Sequence, residues 1–191
     1  MNALNMNTHS HAQGRLLLAL ARQAIASEFD EPDAALPHPD WLQQPGATFV
    51  TLTRNGELRG CIGSLEAQRT LIDDVQSNAR AAAFKDPRFP PLSRDELPGT
   101  RVEVSLLSPV QPMRFSGESD ALAQLRPGID GVILERGWHR ATFLPQVWEQ
   151  LPEPRQFMAH LKRKAGLAAD FWADDLRLAT YQVEKFKEEA T

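Results

Sequence analysis

The chain has 191 residues, 42% of them hydrophobic, 24% charged and 7% aromatic, which suits one globular protein with a sizeable core. Its 25 Asp and Glu against 21 Lys and Arg leave a formal charge of -4, which argues against a protein that gains its affinity by coating nucleic-acid phosphate. The single cysteine excludes an intrachain disulfide and a protein-held iron–sulfur cluster. It fits a reducing compartment, and the apolar run 16–21 between Arg15 and Arg22 is too short for a spanning helix or a secretion signal, so a cytoplasmic location is expected.

Residues 1–13 are polar and lack apolar periodicity, so a disordered tail is expected there, followed by one domain over 14–187. Leu17, Leu20, Ala21, Ala24 and Ile25 share one helical face and predict a helix ending near Phe29. Pro32, Pro37, Pro39 and Pro45 then mark a surface loop over 30–45. Two β-prone runs, 47–53 and 57–65, flank Asn55-Gly56, the dipeptide suited to a two-residue hairpin turn. An unbulged hairpin would set Cys61 opposite Val50, Arg59 opposite Leu52 and Ile62 opposite Phe49. Thr70 is the expected N-cap of a second helix, with Asp73 and Asp74 in its first turn and Asp86-Pro87 as its stop.

Val102, Val104 and Leu106 alternate with polar residues as a strand, and a short helix follows over 118–125. Residues 131–135 and 138–144 read as a hairpin around Arg136-Gly137, and Pro154 opens a helix that Gly166 ends. Leu176, Leu178, Tyr181 and Val183 suggest a last strand. Helix, hairpin, helix thus occurs twice, in halves of roughly 14–98 and 99–187. The absence of a strand-crossover-strand rhythm places the fold in the α+β class.

The most unusual stretch runs from Leu58 to Gly63, because Gly60 and Gly63 weaken a strand unless its backbone is bulged or closely approached. Both glycines are therefore candidate binding positions. On an unbulged strand Arg59 and Cys61 share a face, and a guanidinium beside a thiol favours the reactive thiolate. Cys61 is accordingly a candidate nucleophile with Arg59 as its activator; the competing reading is a small buried hydrophobe packed on Val50 and Leu52. The segment from Phe84 to Leu92 carries Asp86, Arg88, Phe89 and three prolines. It is either a stiff recognition loop or a turn in which Asp86 and Arg88 satisfy backbone groups. Asp86 and Glu103 are further candidates for proton transfer. His38, His139 and His160 lie in no informative motif, and no spacing suggests a metal or a nucleotide, so no metal or cofactor is expected. Lys162, Arg163 and Lys164 read as a basic helix end favoured by the helix dipole.

The strings LRGCIGSL, NARAAAFKDPRFPPL, VEVSLLSP, GIDGVILERG, ATFLPQVWEQ and FMAHLKRKAGL, in this order, resemble the AMMECR-type domain family from about Arg15 to Phe186. Within it the chain looks most like the bacterial group called AmmeMemoRadiSam system protein A. The resemblance implies an α+β AMMECR-like fold of two structural repeats sharing one curved, barrel-like sheet. It also implies association with a Memo-type protein and a radical S-adenosylmethionine enzyme in a modification or redox pathway, with the LRGCIG hairpin, Leu58 to Gly63 here, as the functional centre. Many members carry a cysteine where this chain has Lys162, which leaves Cys61 as the one protein thiol.

Two readings follow. In one, Cys61 attacks a substrate or carries an intermediate, with Arg59, Asp86 and Glu103 assisting. In the other, the chain is a non-catalytic adaptor that grips a partner through the hairpin and the Arg88-Phe89 loop. A third reading, RNA binding through Arg54, Arg59, Arg88 and Phe89, is opposed by the acidic total.

Overall fold

The protein is described from a computed structural model over residues 3–31 and 35–189. In chain order its elements are α1 (Ala3–Ala26), β1 (Pro45–Gly46), β2 (Thr48–Arg54), β3 (Glu57–Gly63), β4 (Arg69–Thr70), α2 (Leu71–Phe84), β5 (Thr100–Leu107), β6 (Gln111–Pro112), α3 (Glu118–Gln124), β7 (Gly131–Arg136), β8 (His139–Phe143), α4 (Pro154–Lys164), β9 (Arg177–Tyr181) and β10 (Val183–Lys187). Every strand pairing resolved is antiparallel, which makes the fold α+β as expected. The hydrogen-bonded ladders form two four-stranded sheets, β10-β5-β2-β3 and β6-β9-β7-β8, and a two-stranded one, β1-β4.

Contacts divide the chain into two compact units, one made of the described residues up to Leu107 together with those from Glu184 on, the other Ser108–Val183. The expected halves meet at 98/99 and end at 187; the observed division differs because β10 pairs with β5, which returns the end of the chain to the first unit. Glu188 secures that return, accepting from Arg22 of α1 and from the Val102 backbone. The charged sequence around Glu184, Lys185 and Lys187 hides this strand, and the expected last strand therefore splits into β9 and β10. The expected tail is also corrected: α1 begins at Ala3, with Met1 and Asn2 outside the described residues. Once a packed stretch is helical, each residue added at its end gains a hydrogen bond without repeating the nucleation cost.

In the first unit α1 and α2 cover one face of the sheet. Leu17, Leu20, Ile25 and Val75 pack there on Val50, Leu52, Val102 and Val104, all essentially without solvent contact. Thr70 caps α2 as expected, its hydroxyl accepting from the Asp73 amide at 3.3 Å. Pro32 of the proline-rich loop lies outside the described residues; the later part of the loop makes a 3-10 turn at Asp40–Gln43 that buries Leu42.

In the second unit α4 starts at Pro154 and ends before Gly166, whose φ of +80° supplies the left-handed residue a helix end favours. Phe157 of α4 stacks on Trp148, with centroids 3.7 Å apart. Lys162 of the basic helix end turns inward. Its side chain is 1% exposed, bonded to Glu118 of α3 at 2.6 Å and set over the Trp172 ring. A long side chain one position off the apolar stripe can turn inward when a carboxylate and an aromatic face wait there.

Candidate functional site

Asn55 and Gly56 adopt φ of 53° and 83°, the pair of positive angles of a type I′ turn, and this joins β2 to β3 as the sequence predicts. The register then departs from the expectation. Leu58 pairs with Thr53 but Gly60 pairs with Leu52, so Arg59 is the extra residue of a β-bulge. Beyond it every partner moves by one: Cys61 lies opposite Thr51, Ile62 opposite Val50 and Gly63 opposite Phe49.

The bulge separates Arg59 from Cys61. The Arg59 guanidinium grips Glu96 in bidentate fashion at 2.9 and 3.0 Å and lies against the Phe89 ring, so its charge is spent on a carboxylate and not on the thiol. Its Nη1 is buried and has no hydrogen-bond partner among the described residues. Glu96 went unnoticed in the sequence, although Ser93 and Glu96 spell the spacing of a helix-start box, and the Ser93 amide does donate to Glu96 at 2.9 Å.

Gly60 and Gly63 each have a close neighbour within the protein. The backbone is closely approached at both, but by the protein itself: a Cβ on Gly60 would stand 2.1 Å from the Ala82 carbonyl of α2, and one on Gly63 2.2 Å from the Phe49 ring. These positions need glycine for packing between the elements.

Cys61 is a free cysteine of intermediate burial. Its backbone amide and carbonyl both face the outer edge of β3, the last strand of its sheet. There the amide donates to Asp86 at 2.9 Å and the carbonyl accepts from Arg88 at 3.3 Å. Asp86 also accepts from the Arg88 amide and guanidinium. The two side chains thus stand in for a missing neighbouring strand, as one reading of the loop expects. Since Cys61 spends its backbone groups outward, it meets Thr51 as a non-hydrogen-bonded pair, the kind with the closest side chains. The Thr51 hydroxyl donates to the sulfur at 3.3 Å.

Thr51 also lies opposite Glu103 of β5. Directly opposed residues share a face, so Cys61, Thr51 and Glu103 form a row across three strands, on the face away from α1 and α2. Glu103 is ion-paired to Lys187 at 2.7 Å and sits two strands from the sulfur, about 10 Å between backbones. It can tune the field of the row but cannot take the thiol proton directly. No histidine is hydrogen-bonded to the sulfur among the described residues. His139 is bonded to the Ala165 carbonyl and His160 is exposed on α4. The RNA reading also loses ground, because Arg54 and Arg59 are committed to Glu96 and Arg88 to Asp86.

Both carboxylates are held down by their cations. Arg59 first, then the Ser93 amide, lowers the Glu96 carboxyl from an ordinary 4.5 to about 2. The Arg88 guanidinium, helped by the Cys61 and Arg88 amides, pulls Asp86 well below the ordinary carboxylate range. Folded values below unfolded ones mean that these clasps stabilise fully above the unfolded values and release as pH falls through the folded ones. Urea midpoints are expected to drop steeply from about pH 4.5 toward pH 2, with a shallower slope in Glu96→Gln. An identical acid limb in that variant would show that Glu96 does not carry this stability.

Residues 18–186 match the AMMECR1 family. The chain belongs to the AMMECR1 family. A protein of Methanothermobacter thermautotrophicus is 39% identical to it over 185 residues, covering 94% of this chain and 96% of the relative. One from Thermotoga maritima is 40% identical over 159 residues, covering 82% and 86%. The crystal structure of an uncharacterized protein from Pyrococcus horikoshii superposes with a TM-score of 0.75 at 32% identity, over 92% of this chain and 91% of that one. This AMMECR1 domain contains no helix among its described residues long and apolar enough to cross a membrane. Nor do those residues gather three or more His, Cys, Asp or Glu side chains able to hold a metal.

Proposed function

We propose that this AMMECR1 domain is a component of a modification or redox pathway, of the AmmeMemoRadiSam type, in which Cys61 is the reacting group. The observation that carries the reading is the free, partly buried Cys61, its sulfur bonded to the Thr51 hydroxyl on a strand edge locked by Asp86 and Arg88. A hydroxyl donor stabilises a thiolate, and the locked edge keeps the sulfur in place during encounter with a substrate. With no histidine base bonded to it among the described residues, the thiol loses its proton to solvent; the thiolate then displaces a leaving group, which departs with its bonding pair, from an electrophilic carbon, or displaces one thiolate from a disulfide, and holds the acquired group as a thioether, thioester or mixed disulfide. Chemistry beyond that transfer falls to partners, for which a Memo-type protein and a radical S-adenosylmethionine enzyme are the candidates.

Alkylation of the native protein by iodoacetamide, followed from pH 6 to 10, tests this. Cys61 is expected to react in the folded state, and Thr51→Val to slow that reaction, since the hydroxyl bonded to the sulfur is lost. A thiol silent until unfolding would end the proposal. The adaptor reading is favoured by one feature, the half-exposed Phe89 held between Arg59 and Arg88 on a proline-stiffened loop. Loss of partner co-purification in Phe89→Ala, with Cys61→Ser still binding and fully active in the assembled pathway, would select it.

A further inference from the structure

We propose that the second unit docks a short acidic segment of a partner protein on the exposed face of α4, anchored by Trp138. This surface is separate from Cys61 and does not rest on its chemistry. Phe157, Met158, Leu161 and Lys162 of α4 turn inward, which leaves Arg155, His160, Arg163 and Lys164 on the exposed side. That side carries three cations and no carboxylate. The Arg155 and Arg163 guanidinium groups have no hydrogen bond or ion pair among the described residues, and Lys164 donates to the Thr142 carbonyl at 3.0 Å. The carboxylates of α3, the helix packed on α4, are engaged elsewhere: Glu118 holds the buried Lys162, and Asp120 accepts from Ser116 and Gln124. Glu153 flanks the face at one end and Asp170 beyond the other, and neither is bonded to these cations. The helix dipole favours Arg163 and Lys164 in the last turn, but it opposes Arg155, which stands in the first. A cation set against its own helix and bonded to no neighbour is free to meet an outside carboxylate.

Trp138 supplies the anchor. It is 91% exposed, where the other exposed large hydrophobic residues are 37–47%. It stands at the apex of the β7–β8 hairpin, because Arg136 pairs with His139 and Gly137, with φ of 56°, closes the two-residue turn. The end of α4 meets this turn: His139 Nδ1 is 2.8 Å from the Ala165 carbonyl, and the Trp138 ring lies 5.6 Å from the His139 ring. The indole therefore sits at the C-terminal end of the basic face. Arg136 and Arg140 of the hairpin are already paired with Asp175 and Glu135, so the unpaired charge is that of α4. Tryptophan and arginine are the residues that most often carry interface energy, and an indole on a tight turn loses little freedom when it docks. Arg155 and Arg163 are about 12 Å apart along the helix axis, the reach of about four extended residues. A segment of that length meets only cations on this face. A long nucleic acid must also cross the rest of a chain whose net charge is -4, which repels it.

Fluorescence anisotropy with the full chain tests the assignment. The probe is a fluorescein-labelled polyglutamate peptide with one central phenylalanine, run beside its polylysine counterpart and a single-stranded oligouridylate. The acidic peptide is expected to bind saturably and more weakly as salt rises, and the polylysine peptide not to bind. Arg155→Glu combined with Arg163→Glu is expected to weaken binding by about tenfold or more, and Trp138→Ala by a similar factor. All three residues are exposed, so these variants should melt at the temperature of the parent chain. Lys85→Glu combined with Arg101→Glu removes two exposed cations of the first unit and is expected to leave binding within about twofold. Equal weakening by that control pair would reduce the effect to net charge and overturn the proposal. Absence of saturable peptide binding overturns it too, as does tighter binding of the oligouridylate, which would assign the face to nucleic acid.

Discussion

Asp74→Ala is expected to cost the first unit about 3–5 kcal/mol, the range for removing one member of a buried charged network, and so to consume a large share of a typical folding stability. Asp74 has no solvent contact. Its carboxylate accepts from the Thr48 amide and hydroxyl and from Ser64, each at 2.7 Å, and from Arg69 and Asn78, each at 2.9 Å. One side chain in the first turn of α2 therefore ties down the start of β2, the residue just past β3, and β4. Alanine would orphan the buried Thr48 amide, while Asn78 keeps its bond to the Thr48 carbonyl at 2.9 Å, and an unmade buried hydrogen bond costs more than a made one contributes. Urea unfolding followed by tryptophan fluorescence and circular dichroism would measure it. A loss below about 1 kcal/mol would mean that water enters and satisfies the donors.

Gly60→Ala is the second large effect, about 3 kcal/mol, because the new methyl carbon would stand 2.1 Å from a backbone oxygen of α2 that no rotamer change can move aside. Either β3 or the end of α2 must shift, and the Cys61 amide is the next backbone donor along that strand. The variant is thus expected to loosen the Asp86 bond and to speed alkylation of Cys61, so lower stability and higher thiol reactivity should appear together. Gly99→Ala is the control, since its added carbon meets only an Arg54 nitrogen at 3.8 Å. Comparable losses in the two variants would remove the close-approach explanation.

The candidate site divides in the same way between what is local and what is not. Cys61, Asp86, Arg88 and Phe89 were all legible in the sequence, because a lone thiol among glycines and a charged, proline-stiff loop are unusual in any context. Their assembly was legible only in part. The expected turn at Asn55-Gly56 is present, yet one extra residue at Arg59 displaced every later pairing. A bulge of that kind exchanged the thiol's expected neighbour, Arg59, for Thr51. Glu96 and Asp86 then engaged the nearby guanidinium groups, and both are linked to the hairpin only through space.

Periodicity, caps and turn dipeptides act over three or four residues, so the chain's own order of side chains determined the helix capped by Thr70, the Asn55-Gly56 turn, the stop at Gly166 and the α+β class. Family membership was equally readable, since it rests on strings of residues. Tertiary structure alone decided the order of strands in the sheets, the return of β10 to the first unit, the burial of Lys162 and the row formed by Cys61, Thr51 and Glu103. Each of these depends on which distant group arrives at a strand edge or an open face to satisfy it. That choice is made by packing and electrostatics across the whole unit, where no local pattern records the partner.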